Sequence, residues 1–369
     1  MKKIFLVANI QYTLTQFRGE LIQQLRSMGH QVFLVCPNAD GNLYVDPDPH
    51  TLEIPLSRGG VNPFKDFQTF KVLAALYRKE KPDIVINYTI KPIIYSSLAA
   101  GIFSPKTKIF SNITGLGYVF THQSFKARLI RLVVMNLYRI SLMLNTRIFF
   151  QNPDDESLFR SLKIIWGQKV KRINGSGINL ARLSYQEQKK EKQSFVFVGR
   201  LLKDKGLTEL VSAVKSLSNK YPQMKCYIIG GNDPENPNSF TQIEIDEFAK
   251  CPSLIFLGHQ KDAVEILKGC EVNVLPSYRE GTPRSNLEAM ALGLPIITTD
   301  APGCRETVKD GFNGFLVPVK NYQSLAEKME YFLQNPEMIQ IMGKRSREYV
   351  EQKFNVIEVN NEVIKTLGL

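Results

Sequence analysis

The chain has 369 residues, of which 43% are hydrophobic and 22% are charged, and its formal net charge is +12 at pH 7. This length and composition exclude a disordered tail and a small disulfide-stapled scaffold, and they suffice for two domains that each bury a core. The five cysteines form no Cys-x-x-Cys pair and none has a histidine at metal-ligand spacing, so we expect buried, reduced thiols without disulfides or zinc.

Charge is distributed unevenly along the chain. Residues 1–186 hold 24 Lys and Arg against 11 Asp and Glu, a net charge of +13, whereas residues 187–369 hold 23 against 24, a net charge of −1. This one-sided excess predicts an anionic partner for the first half, such as an anionic membrane, a diphosphate-bearing substrate or a nucleic acid. No signal peptide precedes the apolar residues 4–10, so the expected location is the cytoplasm.

Short runs rich in β-branched and aromatic residues alternate with helical patterns, which is typical of parallel sheets covered by helices. Each run is too apolar for a strand with one wet face, so each is predicted to be a buried strand. The predicted strands are residues 3–9, 31–37, 83–87, 108–113, 147–152, 194–199, 226–231, 254–258, 271–276, 295–299 and 314–318. The predicted helices are residues 15–28 and 66–79, three that begin at Asp154, Leu207 and Asp262, and one near Ser285.

Residues 181–193 lose all apolar periodicity and become polar and charged, which predicts an interdomain linker. The two alternating blocks around it predict an α/β fold of two Rossmann-like domains, residues 1–180 and 194–350, with parallel sheets facing across a cleft. No predicted strand follows the helical pattern that runs from Tyr322 to the last residue. Its last part, residues 351–369, is predicted to be a helix that crosses back to the first domain.

Two glutamates follow the predicted strand at residues 271–276. Glu280 lies in a loop that contains glycine and proline, and Glu288 lies eight positions later in the following helix. A strand, glycine loop and helix in this order offer backbone N–H groups and a positive helix end to phosphate or sugar oxygens. Glu280 can accept hydrogen bonds from sugar hydroxyls and Glu288 from a ribose diol. A solvated surface pair is the alternative, but the apolar neighbours of Glu288 favour a specific partner.

A second candidate element follows the strand at residues 194–199. That strand ends in Gly199, and Arg200 and Lys205 come next. Glycine allows close approach of the backbone to a ligand, and two cations can neutralise a departing diphosphate. An ordinary basic turn is the alternative for this segment taken alone.

Together, Arg200, Lys205 and the glutamate pair resemble in order and spacing the family 4 glycosyltransferases, which have the GT-B fold of two Rossmann-like domains. The segments INGSGIN, VGR, FLG, LPSYREG and DAPGCRETVKDGFNGFLV extend the resemblance over the C-terminal half. The resemblance implies retaining transfer from a UDP-sugar without a metal or other cofactor. It also implies a nucleotide-sugar-binding C-terminal domain and an acceptor-binding N-terminal domain.

The resemblance further implies roles for individual residues. Arg200 and Lys205 would contact the diphosphate and Glu280 the donor sugar, which makes these three the candidate catalytic residues. The remaining candidate donor-binding residues are Gly199, Gly281, Thr282, Arg284, Ser285, Asn286 and Glu288.

Residues 89–101 and 111–121 resemble the acceptor domain of bacterial enzymes that build polyprenyl-diphosphate-linked sugars for O-antigen, capsule or protein glycosylation. They are most similar to N-acetylgalactosaminyltransferases that act on undecaprenyl-diphosphate saccharides. The family's glycine pair after the first strand is missing, since only Gly19 is present there, and Arg18 is a candidate substitute. The candidate acceptor-binding residues are Lys91, Asn112, Thr114, Gly115 and Gly117, with a solvated helix-start lysine as the alternative for Lys91.

The segment 124–150 mixes long apolar stretches with basic residues, which interrupt it too often for a membrane-spanning helix. A helix that is basic on one side and apolar on the other can lie in the bilayer surface, and a core helix of the first domain is an equal alternative. The first interpretation places the protein peripherally on the inner face of the cytoplasmic membrane. The candidate membrane-contacting residues are Lys126, Arg128, Arg131 and Arg139.

Two other functions fit parts of the pattern. A nucleic-acid-binding protein would explain the isoelectric point near 9.3 and the basic half, but no nucleic-acid-binding module is recognisable and the acids of the second half would be unexplained. A nucleotide-sugar 2-epimerase would share the double Rossmann architecture and would release an epimerised sugar without an acceptor.

Overall fold

The computed structural model describes residues 1–37, 48–56, 62–116, 120, 125–167, 169–183, 185, 190–233 and 236–369. The chain divides into two compact units. The N-terminal unit comprises Met1–Ser176 and Glu358–Leu369, and the C-terminal unit comprises Gly177–Ile357. The described residues of the expected linker thus fall in the C-terminal unit. Just before them, Ile178 lies in that unit's core and its backbone pairs with Asn355.

The sheet of the N-terminal unit has seven described strands, all paired in parallel, in the order β3-β2-β1-β4-β5-β6-β7. The strands are β1 (Lys3–Val7), β2 (Gln31–Cys36), β3 (Thr51–Glu53), β4 (Ile84–Tyr88), β5 (Lys108–Ile113), β6 (Arg147–Phe150) and β7 (Val170–Arg172). The chain builds outward from β1 in one direction and from β4 in the other, so the topological switch lies between these two strands. Strands β3 and β7 were not predicted, because three residues are too few to show an apolar pattern.

The helices of the first part of this unit are α1 (Gln11–Ser27), α2 (Pro63–Glu80), α3 (Ile90–Phe103), α4 (Phe125–Met143) and α5 (Pro153–Ser161). Residues before α2 and α5 explain where these helices begin. The side chain of Asn62 accepts from the N–H groups of Phe64 and Lys65, and that of Asn152 accepts from the N–H of Asp155. Each asparagine is followed by a proline, whose fixed φ suits the first helical position.

Strand β1 shows why the predicted strands are apolar along their whole length. Ile4 and Leu6 pack on one face of the sheet in the cluster that contains Leu14 of α1. Phe5 packs on the opposite face in the cluster that contains Tyr77 of α2. Since alternate side chains point to opposite faces, a strand covered on both sides needs apolar residues at every position.

The sheet of the C-terminal unit has six described strands, again all parallel, in the order β10-β9-β8-β11-β12-β13. The strands are β8 (Ser194–Val198), β9 (Lys225–Ile229), β10 (Leu254–Gly258), β11 (Val272–Leu275), β12 (Ile296–Thr299) and β13 (Gly314–Val317). The switch in this sheet lies between β8 and β11, which pair directly, with Phe195 beside Val272.

The helices that follow are α6 (Leu207–Ser218), α7 (Gln242–Ala249), α8 (Ala263–Gly269), α9 (Arg284–Ala291), α10 (Tyr322–Gln334), α11 (Glu337–Phe354) and α12 (Val356–Leu367). Short 3₁₀ turns lie at Lys203–Lys205 and Arg305–Thr307. The helical pattern from Tyr322 is therefore three helices. Val363, Ile364 and Leu367 of α12 lie in the β1 cluster of the N-terminal unit.

Candidate donor-binding site

The candidate catalytic residues lie on the two loops that flank the switch of the C-terminal sheet. Arg200 and Lys205 follow β8, and Glu280 follows β11. Because β8 and β11 are neighbouring parallel strands, their carboxyl ends lie side by side. Ligands of open α/β sheets bind at this position, outside the carboxyl ends at the switch.

Lys205 and Glu280 form a direct ion pair between Nζ and Oε1. Their side chains are only 19% and 14% exposed, so solvent screens this pair less than a surface pair. The loops come close because of Gly206, which has a φ of +72° and would place a Cβ 2.1 Å from the carbonyl oxygen of Pro276. Only glycine fits at this contact. The structure thus brings together a cation and an acid that are 75 residues apart in sequence.

A third loop, after β12, contacts the backbone of Glu280. The N–H of Glu280 donates to the carbonyl oxygen of Pro302 at 2.9 Å. Gly303 follows with a φ of +76°, and a Cβ there would lie 2.2 Å from the carbonyl oxygen of Glu280. The position of the Glu280 backbone therefore depends on close contact with this glycine.

Arg200 pairs with Asp233, an acid that sequence reasoning missed. Its Nη1 lies 2.7 Å from Oδ2 of Asp233, whose side chain is 11% exposed. Asp233 follows the carboxyl end of β9, the next strand on the other side of β8. The sequence does show that Asp233 follows a predicted strand, which is where ligand-binding residues of such sheets occur. Only the order of the strands shows that the end of β9 lies beside Arg200.

Helix α9 carries most of the remaining donor-binding candidates. Nε of Arg284 lies 3.0 Å from Oε1 of Glu288 one turn later, and about a fifth of each side chain is exposed. The residue before this helix, Pro283, makes no side-chain capping hydrogen bond. Its first N–H groups and positive dipole end suit an anionic ligand.

The other candidates of this unit differ in exposure. Asn286 is fully buried: its amide donates to Oγ1 of Thr307 at 2.9 Å and accepts from Nδ2 of Asn273 at 2.9 Å. This network ties α9 to β11 and to the 3₁₀ turn at Arg305–Thr307, and it faces the interior of the unit. Gly281 is buried, and three further candidates are partly buried, namely Gly199, Thr282 and Ser285.

Cys304 lies beside the loop of Glu280, and its thiol is not a nucleophile. Burial, with a smaller contribution from the negative charge of Glu280, raises the pKa of Cys304 to about 12. Its Sγ donates weakly to the carbonyl oxygen of Ser277 at 3.6 Å. The thiol therefore stays protonated at neutral pH and acts as a small apolar group. All five cysteines are buried and free, as the sequence predicts.

The acceptor-binding candidates of the N-terminal unit lie near the carboxyl ends of the neighbouring parallel strands β4 and β5. Nζ of Lys91, in the first turn of α3, lies 2.8 Å from Oδ1 of Asp66, so Lys91 is neither a solvated lysine nor an isolated cation. Asn112 is buried at the end of β5. Thr114 and Gly115 follow it and are partly buried, and Gly117 lies outside the described residues.

The missing glycine pair of the first loop leaves Arg18 as the candidate substitute. Arg18 lies on α1 and is 7% exposed, and its guanidinium lies 4.8 Å from the ring centre of Tyr88 at the end of β4. Arg18 thus lies beside the end of β4, next to the switch between β1 and β4, and its role as a substitute for the glycine pair stays a prediction.

Helix α4 is both a core helix and a surface helix. Met135, Tyr138 and Leu142 are buried in the core of the N-terminal unit. On the opposite side, five apolar residues are each more than half exposed, and they are Leu129, Leu132, Val133, Ile140 and Met143.

The basic residues of α4 differ from one another. Arg128 is exposed and Arg131 is partly buried. Arg139 donates to the carbonyl oxygens of Leu162 and Lys163 at the end of α5, at 2.7 and 2.9 Å. The side chain of Lys126 lies outside the described part of the chain. Among the described helices, none combines the length and the apolar character needed to cross a bilayer.

Comparison with known proteins decides the family. The family described as glycosyl transferases group 1 matches residues 183–349, and the glycosyl transferase 4-like family matches residues 3–152. An uncharacterized glycosyltransferase of Methanocaldococcus jannaschii is 31% identical, with 79% of this chain and 71% of that protein covered. The chain belongs to the group 1 glycosyltransferases.

Further likenesses describe the enzyme's relatives and its fold. The N,N'-diacetylbacillosaminyl-diphospho-undecaprenol α-1,3-N-acetylgalactosaminyltransferase of Campylobacter jejuni is 28% identical, with 92% of each chain covered. Sucrose-phosphate synthase from Thermosynechococcus elongatus has a TM-score of 0.83 at 21% identity, over 99% of this chain and 98% of that one. HepE from Anabaena in complex with UDP has a TM-score of 0.75 at 15% identity over 100% of both chains. The predicted GT-B fold and glycosyltransferase resemblance are confirmed.

Proposed function

We propose that the enzyme is a retaining, metal-independent hexosyltransferase that transfers a sugar, with N-acetylgalactosamine as the first choice, from a UDP-sugar to a polyprenyl-diphosphate-linked saccharide. The product would enter a bacterial surface polysaccharide or glycan. One observation carries the proposal: Lys205 contacts Glu280 where the loops after β8 and β11 meet, and Arg200 lies on the first of these loops. The undecaprenol-linked relative supports the acceptor class, and the UDP complex of a structural neighbour supports the donor class.

The chemistry required of this site is mainly electrostatic. The acceptor hydroxyl oxygen bonds to the sugar C1, and its proton passes to the departing diphosphate. The bond between C1 and the diphosphate oxygen breaks with its electron pair going to the diphosphate, where negative charge develops. Arg200 and Lys205 would stabilise that charge, and the N-terminal end of α9 would add a positive dipole. Glu280 would bind sugar hydroxyls while it holds Lys205 in place, and Glu288 would bind the ribose.

The test is a screen of UDP-sugars against polyprenyl-diphosphate saccharides, with the mass and anomeric configuration of the product measured. We expect a product one sugar unit larger, an N-acetylhexosamine unit with the first-choice donor, with the donor's configuration retained. We also expect full activity in excess chelator, because the two cations would act in place of a metal. Activity lost in chelator and restored by magnesium or manganese would contradict the metal-independent mechanism. Free epimerised sugar formed without an acceptor would instead identify an epimerase.

The same proposal includes peripheral binding at the inner face of the cytoplasmic membrane. A polyprenyl acceptor cannot leave the bilayer, so the part of the enzyme that binds it must reach the headgroups. The net charge of +13 on residues 1–186 supports attraction to anionic lipid. The exposed apolar row of α4, with Leu132 and Val133 near its middle, supports shallow insertion.

A further inference from the structure

Arg200 needs an external constraint to act on a fixed target. It follows Gly199 directly after β8, and half of its long side chain, 49%, is exposed. Such a side chain samples many rotamers in water, and stabilisation of developing charge requires a donor that is already oriented. Among the described contacts of Arg200, the bond from Nη1 to Asp233 at 2.7 Å is the one that orients the guanidinium.

Two hydrogen bonds hold the backbone of Asp233. The N–H of Asp233 donates to Oγ of Ser239 at 2.8 Å, and its carbonyl oxygen accepts from the N–H of Asn236 at 2.8 Å. The residue as a whole is 9% exposed. A carboxylate held in this way is a rigid partner for a mobile arginine.

The main chain sets the spacing between the two loops. Leu201 follows Arg200 in the chain, and its N–H donates to the carbonyl oxygen of Gly231 at 2.9 Å. Gly230 has a φ of +141°, and a Cβ there would lie 1.9 Å from the carbonyl oxygen of Gly199. The segments after β8 and β9 are thus in direct backbone contact on both sides of Arg200 and two to three residues before Asp233.

The neighbouring ion pair of Lys203 and Glu244 differs from the pair of Arg200 and Asp233 in distance and in exposure. Lys203 and Glu244 lie 3.5 Å apart with side chains that are 54% and 39% exposed, which is an ordinary surface pair of little energetic value. The pair of Arg200 and Asp233 is shorter and uses a nearly buried carboxylate. Its geometry suits orientation of the arginine more than stabilisation of the fold.

We propose that Asp233 is a positioning residue that holds the Arg200 guanidinium toward the donor diphosphate. The inference rests on the proposed function, because it takes Arg200 as the group that stabilises the leaving diphosphate. Asp233 acts through Arg200 and does not itself touch the donor. The negative charge of Asp233 could instead weaken catalysis by neutralising Arg200 and repelling the diphosphate, which we call a shielding role. Removal of this charge should lower kcat if Asp233 positions Arg200, and should leave kcat unchanged or raise it if Asp233 shields Arg200.

The test is a double-mutant cycle on the full-length enzyme with Asp233→Asn, Arg200→Ala and the combination. Asp233→Asn keeps the size of the side chain and weakens its hold on the guanidinium. We expect kcat to fall about tenfold in this variant while the donor KM changes little, because the lost interaction acts in the transition state. In the Arg200→Ala background, which itself loses about a hundredfold, the same change should have no further effect.

Asp246→Asn is the matched control, since Asp246 is exposed on α7 and bonds only to Gln242 one turn away among its described contacts. It should leave kcat unchanged. If Asp233→Asn lowers kcat equally with Arg200 and with Ala at position 200, Asp233 has a structural role. If Asp233→Asn leaves kcat unchanged or raises it, Asp233 has a shielding role. Either result overturns the inference while the transferase activity of the unmodified enzyme stands. Absence of transfer by the unmodified enzyme would overturn the proposed function, and the inference with it.

Discussion

The two units share a strand order around the switch, yet their candidate sites differ in character. In the C-terminal unit the candidate cations each have an acid opposite them: Lys205 has Glu280, Arg200 has Asp233, and Arg284 has Glu288. In the N-terminal unit Lys91 is held by Asp66, while the unit as a whole, residues 1–176 and 358–369, holds 24 basic against 13 acidic residues, a net charge of +11. The same topology therefore carries two different arrangements of charge.

The C-terminal unit has candidate cations in individual ion pairs, whereas the N-terminal half has a net excess of positive charge. A site whose cations are individually paired recognises a ligand by the geometry of a few short contacts, which salt screens weakly. A half with a large unpaired excess acts over a longer range and responds strongly to salt. We expect changes in the C-terminal unit to alter turnover, and changes in the N-terminal unit to alter binding.

The largest effect is expected at the ion pair of the C-terminal unit. Glu280→Ala and Lys205→Ala should each lower transfer at least about a hundredfold with the fold intact, because each removes a charged contact to the reacting donor. Steady-state kinetics together with circular dichroism measure this. Lys250→Ala removes one member of an exposed pair with Glu247 and should leave turnover unchanged. Near-normal turnover in either site variant would refute the assignment of this pair.

A smaller effect on turnover is expected from the loop that supports Glu280. Gly303→Ala introduces a Cβ 2.2 Å from the carbonyl oxygen of Glu280 at a φ of +76°, so the loop must move. We expect at least about a tenfold loss of kcat, since a shift of this size at a catalytic group is costly. Gly311→Ala is the control, because Gly311 has a φ of +70° but open space around its Cβ. It should cost only about 1 kcal/mol of stability from backbone strain, and equal kcat values in the two variants would argue against the supporting role.

In the N-terminal half, charge reversal should weaken membrane binding and leave donor chemistry alone. Arg128→Glu with Arg131→Glu should reduce binding to anionic liposomes by at least about fivefold for each arginine, because each lost basic residue contributes roughly 1 kcal/mol near the surface and each added glutamate is repelled by it. Sedimentation with liposomes at low and high salt measures this, and high salt should release part of the unmodified enzyme. Arg139 is left unchanged because it holds the end of α5.

Two further variants make the membrane prediction specific to α4. Leu132→Ser with Val133→Ser should remove the binding that persists in high salt, since both side chains are more than half exposed. Lys106→Glu with Lys108→Glu reverses two exposed charges elsewhere in the same unit and should have a smaller effect. Equal binding of the unmodified enzyme to neutral and anionic liposomes would show that the basic half serves the acceptor diphosphate alone.

The smallest effect on catalysis is expected at Lys91. Lys91→Ala should raise the acceptor KM about fivefold with the donor KM unchanged, and it should lower stability by about 3 kcal/mol because Asp66 is left buried without its cation. Lys91→Ala combined with Asp66→Ala should recover much of that stability but not the acceptor KM. Thermal unfolding and acceptor titrations separate the two. A normal acceptor KM in the double variant would limit Lys91 to a structural role.

Local patterns were sufficient for much of the fold. Alternating apolar runs predicted the longer strands of both sheets, because strands covered on both faces must be apolar throughout. Boundaries were less accurate: α1 begins at Gln11, where the pattern predicted residue 15, and one long helical pattern proved to be three helices. The three-residue strands β3 and β7 were missed since their pairing depends on neighbours already in place.

The sequence by itself determined the class of the protein and the candidates of the donor site, because strand, glycine and charge follow one another within a few residues there. Only the tertiary structure decided which of those charges meet. The contact of Lys205 with Glu280 spans 75 residues and that of Arg200 with Asp233 spans 33, and both exist because β8 lies between β9 and β11 in the sheet. Strand order is set by packing of the whole unit, so no local pattern along the chain contains these pairings.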